Sequence, residues 1–136
     1  MSRNESHKEI VRRYVAALNA GDCATLRELF APDAVVYGVL GWGGIEQVMP
    51  IWRELHEGLR MELTVEEIIA EGDVVAVRYT ERGTFLGAFR GQPPTGRSYE
   101  IVAMEWFHLR DGRIGRRWGA RDAAAQARQI GLGPLA

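Results

Sequence analysis

Two carboxylates in the last third of this chain stand where a carboxylate is costly. Within 98–122, Ile101, Ala103, Phe107 and Leu109 alternate with Val102, Met104, Trp106 and His108, while Ile114, Trp118 and Ala120 share the phase of Arg116 and Asp122. Glu105 and Asp122 therefore fall in register with otherwise apolar positions. A buried carboxylate must be paired or have its pKa raised, and the second outcome suits general acid/base chemistry. Each also has a purely structural reading. Asp122 ahead of Ala123-Ala-Ala is a helix N-cap, and Glu105 can be locked in a buried ion pair with Arg116 or Arg117.

These residues are positioned by a hairpin. Asp111-Gly112 tolerates the positive φ of a tight turn and is flanked by two strand-like runs. If the dipeptide is a two-residue loop, Leu109 faces Ile114 and Glu105 faces Trp118, so Glu105, Arg116 and Asp122 project from one apolar face. If Gly112 is instead a bulge, every partner slips by one, and His108 and Trp106 join the face of Asp122. The first register gathers the aliphatic side chains on one side; both remain open at this level.

Other chemistries find little support. His7, His56 and His108 lie far apart without metal-ligand spacing, so no metal site is expected. The glycines of 38–44 lack the Lys-Ser/Thr of a phosphate loop. A single cysteine, Cys23, excludes an intramolecular disulfide and fits a reducing cytoplasm. Seventeen basic residues against eighteen acidic ones give no overall field that favours nucleic acid or a membrane surface. The polar N-terminus lacks an apolar signal region and no apolar run approaches a membrane span, so a cytoplasmic protein is expected. Trp42, Trp52, Trp106, Trp118, Tyr14, Tyr37 and Phe30 are individually ordinary core residues, but so many rings in a small domain favour some lining a cavity.

The length of 136 residues fits one domain over 1–136 with one core. Ser6-His-Lys-Glu9 reads as a capping box, followed by a helical stripe of Ile10, Val11, Tyr14, Val15 and Leu18 that Asn19-Ala-Gly21 stops. Asp22 caps a second helix that Pro32 prevents from continuing. Ala34 to Tyr37 suit a short strand, and Gly38 to Gly44 read as a loop whose apolar side chains cover a pocket or plug the core. Ile45 to Leu59 are helical, with Pro50 expected to kink or divide the helix and His56 exposed in its last turn. Met61–Ile69 and Val74–Phe85 follow as strands around Glu71-Gly72-Asp73, then a loop from Gly87 to Gly96, the hairpin, and a last helix from Ala123 to Ile130 ended by Gly131-Leu-Gly-Pro134. The order predicts an α+β fold, with helices segregated to one side of a curved antiparallel sheet.

That order and several local motifs resemble the SnoaL-like polyketide cyclases, or ester cyclases, of the nuclear-transport-factor-2-like superfamily. The matching pieces are Val11-Arg-Arg-Tyr-Val-Ala-Ala-Leu-Asn-Ala-Gly-Asp22, Leu29-Phe-Ala-Pro-Asp33, Pro94-Thr-Gly96, Phe107-His-Leu-Arg-Asp-Gly-Arg-Ile114, Trp118-Gly-Ala-Arg-Asp122 and Arg128-Gln-Ile-Gly131. The resemblance implies a cone-shaped, cystatin-like sheet with helices on its concave side and an apolar cavity for a flat hydrophobic molecule. It implies ring closure by intramolecular aldol addition, without metal or organic cofactor, using an aspartate at the end of the last strand. Asp122 matches that aspartate, His108 the assisting histidine, and Tyr14 an aromatic residue of the cavity wall. Relatives often carry an acidic residue and a histidine before the hairpin tryptophan, where this chain has Arg116-Arg117.

Together these readings nominate Asp122, His108 and Glu105 for acid/base catalysis and Tyr14, Tyr37, Trp42, Trp52 and Trp118 for contact with a hydrophobic small-molecule substrate. The rival reading is a noncatalytic binding or dimerisation domain, with Asp122 a cap and Glu105 salt-bridged. An isomerase of the ketosteroid type or an epoxide hydrolase of the limonene type ranks below, the latter because Arg78-Tyr-Thr80 and Ala120 stand where that group needs acidic residues. Val102, Met104 and Trp106 on the outer face of the sheet suggest a homodimer.

Overall fold

A computed structural model describes residues 2–38 and 41–132. The elements are α1 (Arg3–Ala20), α2 (Cys23–Leu29), β1 (Phe30–Gly38), β2 (Gly41–Gly43), α3 (Ile45–Leu59), β3 (Glu62–Glu71), β4 (Val74–Thr84), β5 (Ser98–Arg110), β6 (Arg113–Arg121) and α4 (Ala123–Ile130). The strands form one curved, open sheet in the order β2-β1-β6-β5-β4-β3. The α+β expectation holds. The sheet is antiparallel except between β1 and β6, which run parallel from Val35↔Arg116 to Tyr37↔Trp118. A parallel neighbour needs a long crossover, and the chain from β2 through β5 supplies it.

The stripe read on α1 is its buried face, with Val11, Tyr14, Val15, Ala17 and Leu18 inward. The helix starts earlier than Ser6 because Ser2 is the cap, its side chain accepting from the Glu5 N–H at 3.1 Å. Gly21 ends α1 at φ 69°, and a Cβ there would lie 2.7 Å from the ring of His56. His56 is thus packed against the α1–α2 turn, half-buried, rather than standing free in the last turn of α3.

Three further expectations change. Pro50 lies inside one continuous helix, α3, so it does not divide it. β1 begins at Phe30, before Pro32, because the register shifts between Phe30 and Val35 and leaves Pro32 and Asp33 exposed outside regular pairing. Part of the expected 38–44 loop is strand, since Trp42 pairs with Tyr37 and its exposed ring stacks on that tyrosine at 5.1 Å. Val39 and Leu40 lie outside the described residues, as do Gly133 and Pro134 of the expected C-terminal stop.

The hairpin satisfies each of its two readings over part of its length. Asp111 and Gly112 both take positive φ, 51° and 77°, and Arg110↔Arg113 and Leu109↔Ile114 pair as a two-residue loop requires. Between Leu109 and His108 the register then slips by one past Gly115, so His108 faces Arg116, Trp106 faces Trp118 and Glu105 faces Gly119. The slip turns Arg117, Gly119 and Arg121 to the concave face with Ala103, Glu105 and Phe107, and turns Arg116, Trp118 and Ala120 outward.

Candidate active site

The concave face of the sheet and the buried faces of α1 and α3 form a hollow that opens to solvent at its mouth. Its walls are largely aliphatic and aromatic, including Leu18, Val36, Trp52, Leu55 and Met61. Two polar clusters interrupt them.

The first is centred on Glu105. This residue sits mid-strand on β5 between Val77 of β4 and Gly119 of β6, with its side chain 10% exposed. The Tyr14 hydroxyl of α1 donates to Oε2 at 2.9 Å and the Tyr79 hydroxyl of β4 donates to Oε1 at 2.8 Å. Arg117 Nη1 lies 2.8 Å from Oε2 and forms an ion pair with it. Burial, and then the negative charge of Glu105, push the Tyr14 and Tyr79 hydroxyls well above the ordinary phenol range, so both remain neutral donors. Burial alone would weaken the Arg117 cation, but Glu105 with Tyr14 and Tyr79 outweighs it and the net shift is upward. Aromatic edges hold Tyr14 in place, with ring centroids of Phe107 at 5.2 Å, Phe30 at 5.8 Å and Trp52 at 6.1 Å.

The second cluster is centred on Glu81, which is 1% exposed. It accepts from the Tyr99 hydroxyl at 2.7 Å, from Arg121 Nε at 3.1 Å and from Gln126 Nε2 of α4 at 3.3 Å. Arg121 also bonds it through Nη2. Burial and the Glu81 charge push the Tyr99 hydroxyl far up.

Of the residues nominated from the sequence, Glu105, Tyr14 and Trp52 meet in this hollow. Asp122 does not line it. Its Oδ1 accepts the Ala125 N–H at 3.0 Å, so it is the N-cap of α4, and the slip at Gly115 gives it the outward phase. His108 is exposed on the outer face, where its ring meets Trp118 edge-on at 4.8 Å. Tyr37, Trp42 and Trp118 form a ring ladder outside the hollow, Tyr37 and Trp118 stacked at 5.1 Å and 4°. These positions follow from the register: Tyr37 pairs with Trp118, and both point away from the buried Val36.

Sequence reading passed over Glu81, Tyr79, Arg90, Arg117 and Arg121 as site residues, all of which line the hollow. Glu81 was detectable, because it shares the period-two phase of Val75, Val77 and Tyr79 on β4. Arg117 was read only as an alternative to Arg116 in pairing with Glu105, and the slip at Gly115, which selects it, also hid Arg121. Among the described residues, no group of three or more His, Cys, Asp or Glu side chains is arranged to hold a metal, and no helix is long and apolar enough to cross a membrane.

Comparison with known proteins adds the lineage. Among curated proteins none matches the chain. Of solved structures, IdmH of Streptomyces antibioticus, provisionally assigned as a polyketide cyclase, is 33% identical over 93% of this chain and 99% of its own, with a TM-score of 0.81. A protein of Jannaschia sp. CCS1, provisionally assigned as a SnoaL-like polyketide cyclase, is 28% identical over 98% of each chain, with a TM-score of 0.87. A protein of Catenulispora acidiphila with a ketosteroid isomerase-like fold, 22% identical over 92% of this chain and 94% of its own with a TM-score of 0.77, supports the fold alone. The cone of helices and sheet described above is that nuclear-transport-factor-2-like, ketosteroid isomerase-like fold. The family model for SnoaL-like polyketide cyclases matches residues 8–130, and this chain belongs to that family.

Proposed function

We propose that this chain is an acid/base enzyme that takes a hydrophobic carbonyl compound into the hollow and closes a ring by intramolecular aldol addition, with Glu105 as the base. The observation that carries the reading is a carboxylate on the floor of an apolar cavity, met by two neutral phenols and one guanidinium. A proton between two carbonyls is acidic enough that one positioned carboxylate suffices to remove it. Glu105 accepts that proton from carbon. The Tyr14 and Tyr79 hydroxyls turn from the carboxylate, which protonation has made a poorer acceptor, to the enolate oxygen, and Arg117 balances the developing charge. The enolate carbon then bonds to the second carbonyl carbon, and the new alkoxide takes the proton back from Glu105. Side chains supply every step, so the reaction draws on no organic cofactor.

The test is exchange of the acidic carbon-bound proton of an aromatic β-diketone into deuterated water, followed by NMR. The protein accelerates exchange, and Glu105→Gln slows it by about a hundredfold or more. Equal exchange in both proteins overturns the enzyme reading. A second reading is a noncatalytic ligand-binding domain, favoured by the 2.8 Å ion pair that Arg117 makes with Glu105. It requires ligand binding in the hollow without proton exchange.

The same reading includes a homodimer formed by the outer face. Val102, Met104 and Trp106 are 53%, 52% and 49% exposed there, contiguous with the ring ladder of Trp118 and Tyr37.

A further inference from the structure

Three guanidinium groups line the hollow, those of Arg90, Arg117 and Arg121, against two carboxylates, Glu81 and Glu105. Each carboxylate is already taken, Glu105 by Arg117 and Glu81 by Arg121. The Nε atoms of Arg90 and Arg117 are both buried without a partner, but Arg117 has its ion pair with Glu105, whereas the Arg90 side chain has no ion pair and donates no hydrogen bond among the described residues. A buried donor left unpaired is costly, so a position that keeps one asks what would pair with it.

The surroundings of Arg90 hold it in place without giving its guanidinium an ion pair. Its backbone takes the left-handed φ of 50°, rare for a side chain of this size, within the tight turn closed by the Phe89↔Gln92 bridge. The nearby carboxylate of Glu54 accepts from the Arg90 backbone N–H at 2.5 Å, so this acid fastens the turn. The guanidinium carbon lies 4.9 Å from the centre of the Phe89 ring, a cation–π contact with an apolar support. Burial first, and then the like charge of Arg121, weaken its hold on its proton, and the Glu54 charge offsets only part of that loss.

We propose that the compound accepted by this hollow carries a carboxylate, and that Arg90 is the residue that binds it. A guanidinium without an ion pair matches one monoanion, and its fork matches the two oxygens of a carboxylate, which would satisfy the orphaned Nε. The apolar wall takes the remainder of the molecule. This names the substrate class for the reaction proposed above and rests on that reading only in sharing its cavity.

The test compares naphthoate with naphthamide, two flat molecules of nearly equal shape that differ by the charge. Binding to the full-length chain is measured calorimetrically and located by the Trp52 indole resonance, since Trp52 lines the hollow while Trp106 and Trp118 line the outer groove. Naphthoate binds about tenfold or more tightly than naphthamide. Arg90→Gln weakens naphthoate alone and abolishes the difference, and Arg90→Lys restores part of it. Equal affinity of the unaltered protein for the two probes overturns the proposal without any variant having to fold, as does an equal loss for both probes in Arg90→Gln. Binding that shifts only Trp106 and Trp118 overturns it too. These outcomes leave the diketone exchange assay untouched, so the anion proposal and the acid/base reading fail separately; only binding of neither probe, with no diketone exchange, removes both.

Discussion

Gly119 lies directly opposite Glu105 in the β5–β6 pairing, and a Cβ at Gly119 would stand 1.9 Å from Nη1 of Arg117. The guanidinium reaches the carboxylate by crossing the space a side chain would fill. Gly119→Ala therefore pushes Arg117 off Glu105. Because the obstructed atom is the end of a flexible side chain, the strand itself survives, and the cost is that of one weakened charge-assisted bond, about 1.5–3 kcal/mol. Thermal or urea unfolding measures it, with Gly115→Ala, whose added Cβ meets nothing closer than 3.7 Å, as the control.

The ion pair itself can be removed in two ways that differ in sign. Glu105→Gln leaves Arg117 buried and uncompensated and costs about 3–5 kcal/mol. Adding Arg117→Met removes the stranded charge, and the double variant recovers most of that loss. A double-mutant cycle in urea reads the coupling; strictly additive losses would mean that the two side chains do not depend on each other.

Alkaline pH separates the buried phenols from ordinary tyrosines. The Tyr14, Tyr79 and Tyr99 hydroxyls are all pushed above the ordinary phenol range, by burial first and by Glu105 or Glu81 second. A folded-state pKa above the unfolded one means that the native state holds more protons once the unfolded chain begins to ionise. Stability contributed by these groups is therefore complete below about pH 10 and falls as pH rises above it, by up to ~1.4 kcal/mol per pH unit for each phenol. Urea titrations across this range give the slope, and Tyr14→Phe and Tyr79→Phe each reduce it.

Asp122 offers a direct contrast with Glu105. Asp122→Ala removes the cap of α4 and costs about 0.5–2 kcal/mol, while Asp122→Asn keeps the capping oxygen and costs little. Both variants retain the diketone exchange rate of the parent protein. A loss of exchange in Asp122→Asn with the fold intact would return the base to the end of β6.

The outer face is probed by Trp106→Glu, which places a charge in the middle of the exposed apolar patch. Sedimentation gives a monomer for this variant and a dimer for the parent, and naphthoate binding at Trp52 is unchanged. A parent chain that sediments as a monomer at all concentrations removes the dimer.

What the sequence by itself determined is what short-range physics controls. The Asp111-Gly112 turn is required by the positive φ both residues adopt, the Asp122 cap by a carboxylate three residues ahead of an orphan N–H, and the α1 stripe by its periodicity. The family motifs and the α+β order are likewise sums of local features. Which carboxylate enters the hollow was decided elsewhere. The one-residue slip at Gly115 exchanges every inward and outward side chain of β6 at once, and either phase leaves apolar residues on both faces of the strand. Contacts from distant elements settle that phase. Tyr37 of β1 stacks on Trp118 outside, Arg117 reaches Glu105 inside, and Tyr14, 91 residues away in α1, closes the cluster. A charge buried in the core must find partners in three dimensions, and the energy of those pairings outweighs any local preference for one register. The same holds for Arg90, whose significance lies in the absence of a partner and emerges only when the two arginine–glutamate pairs beside it are in place.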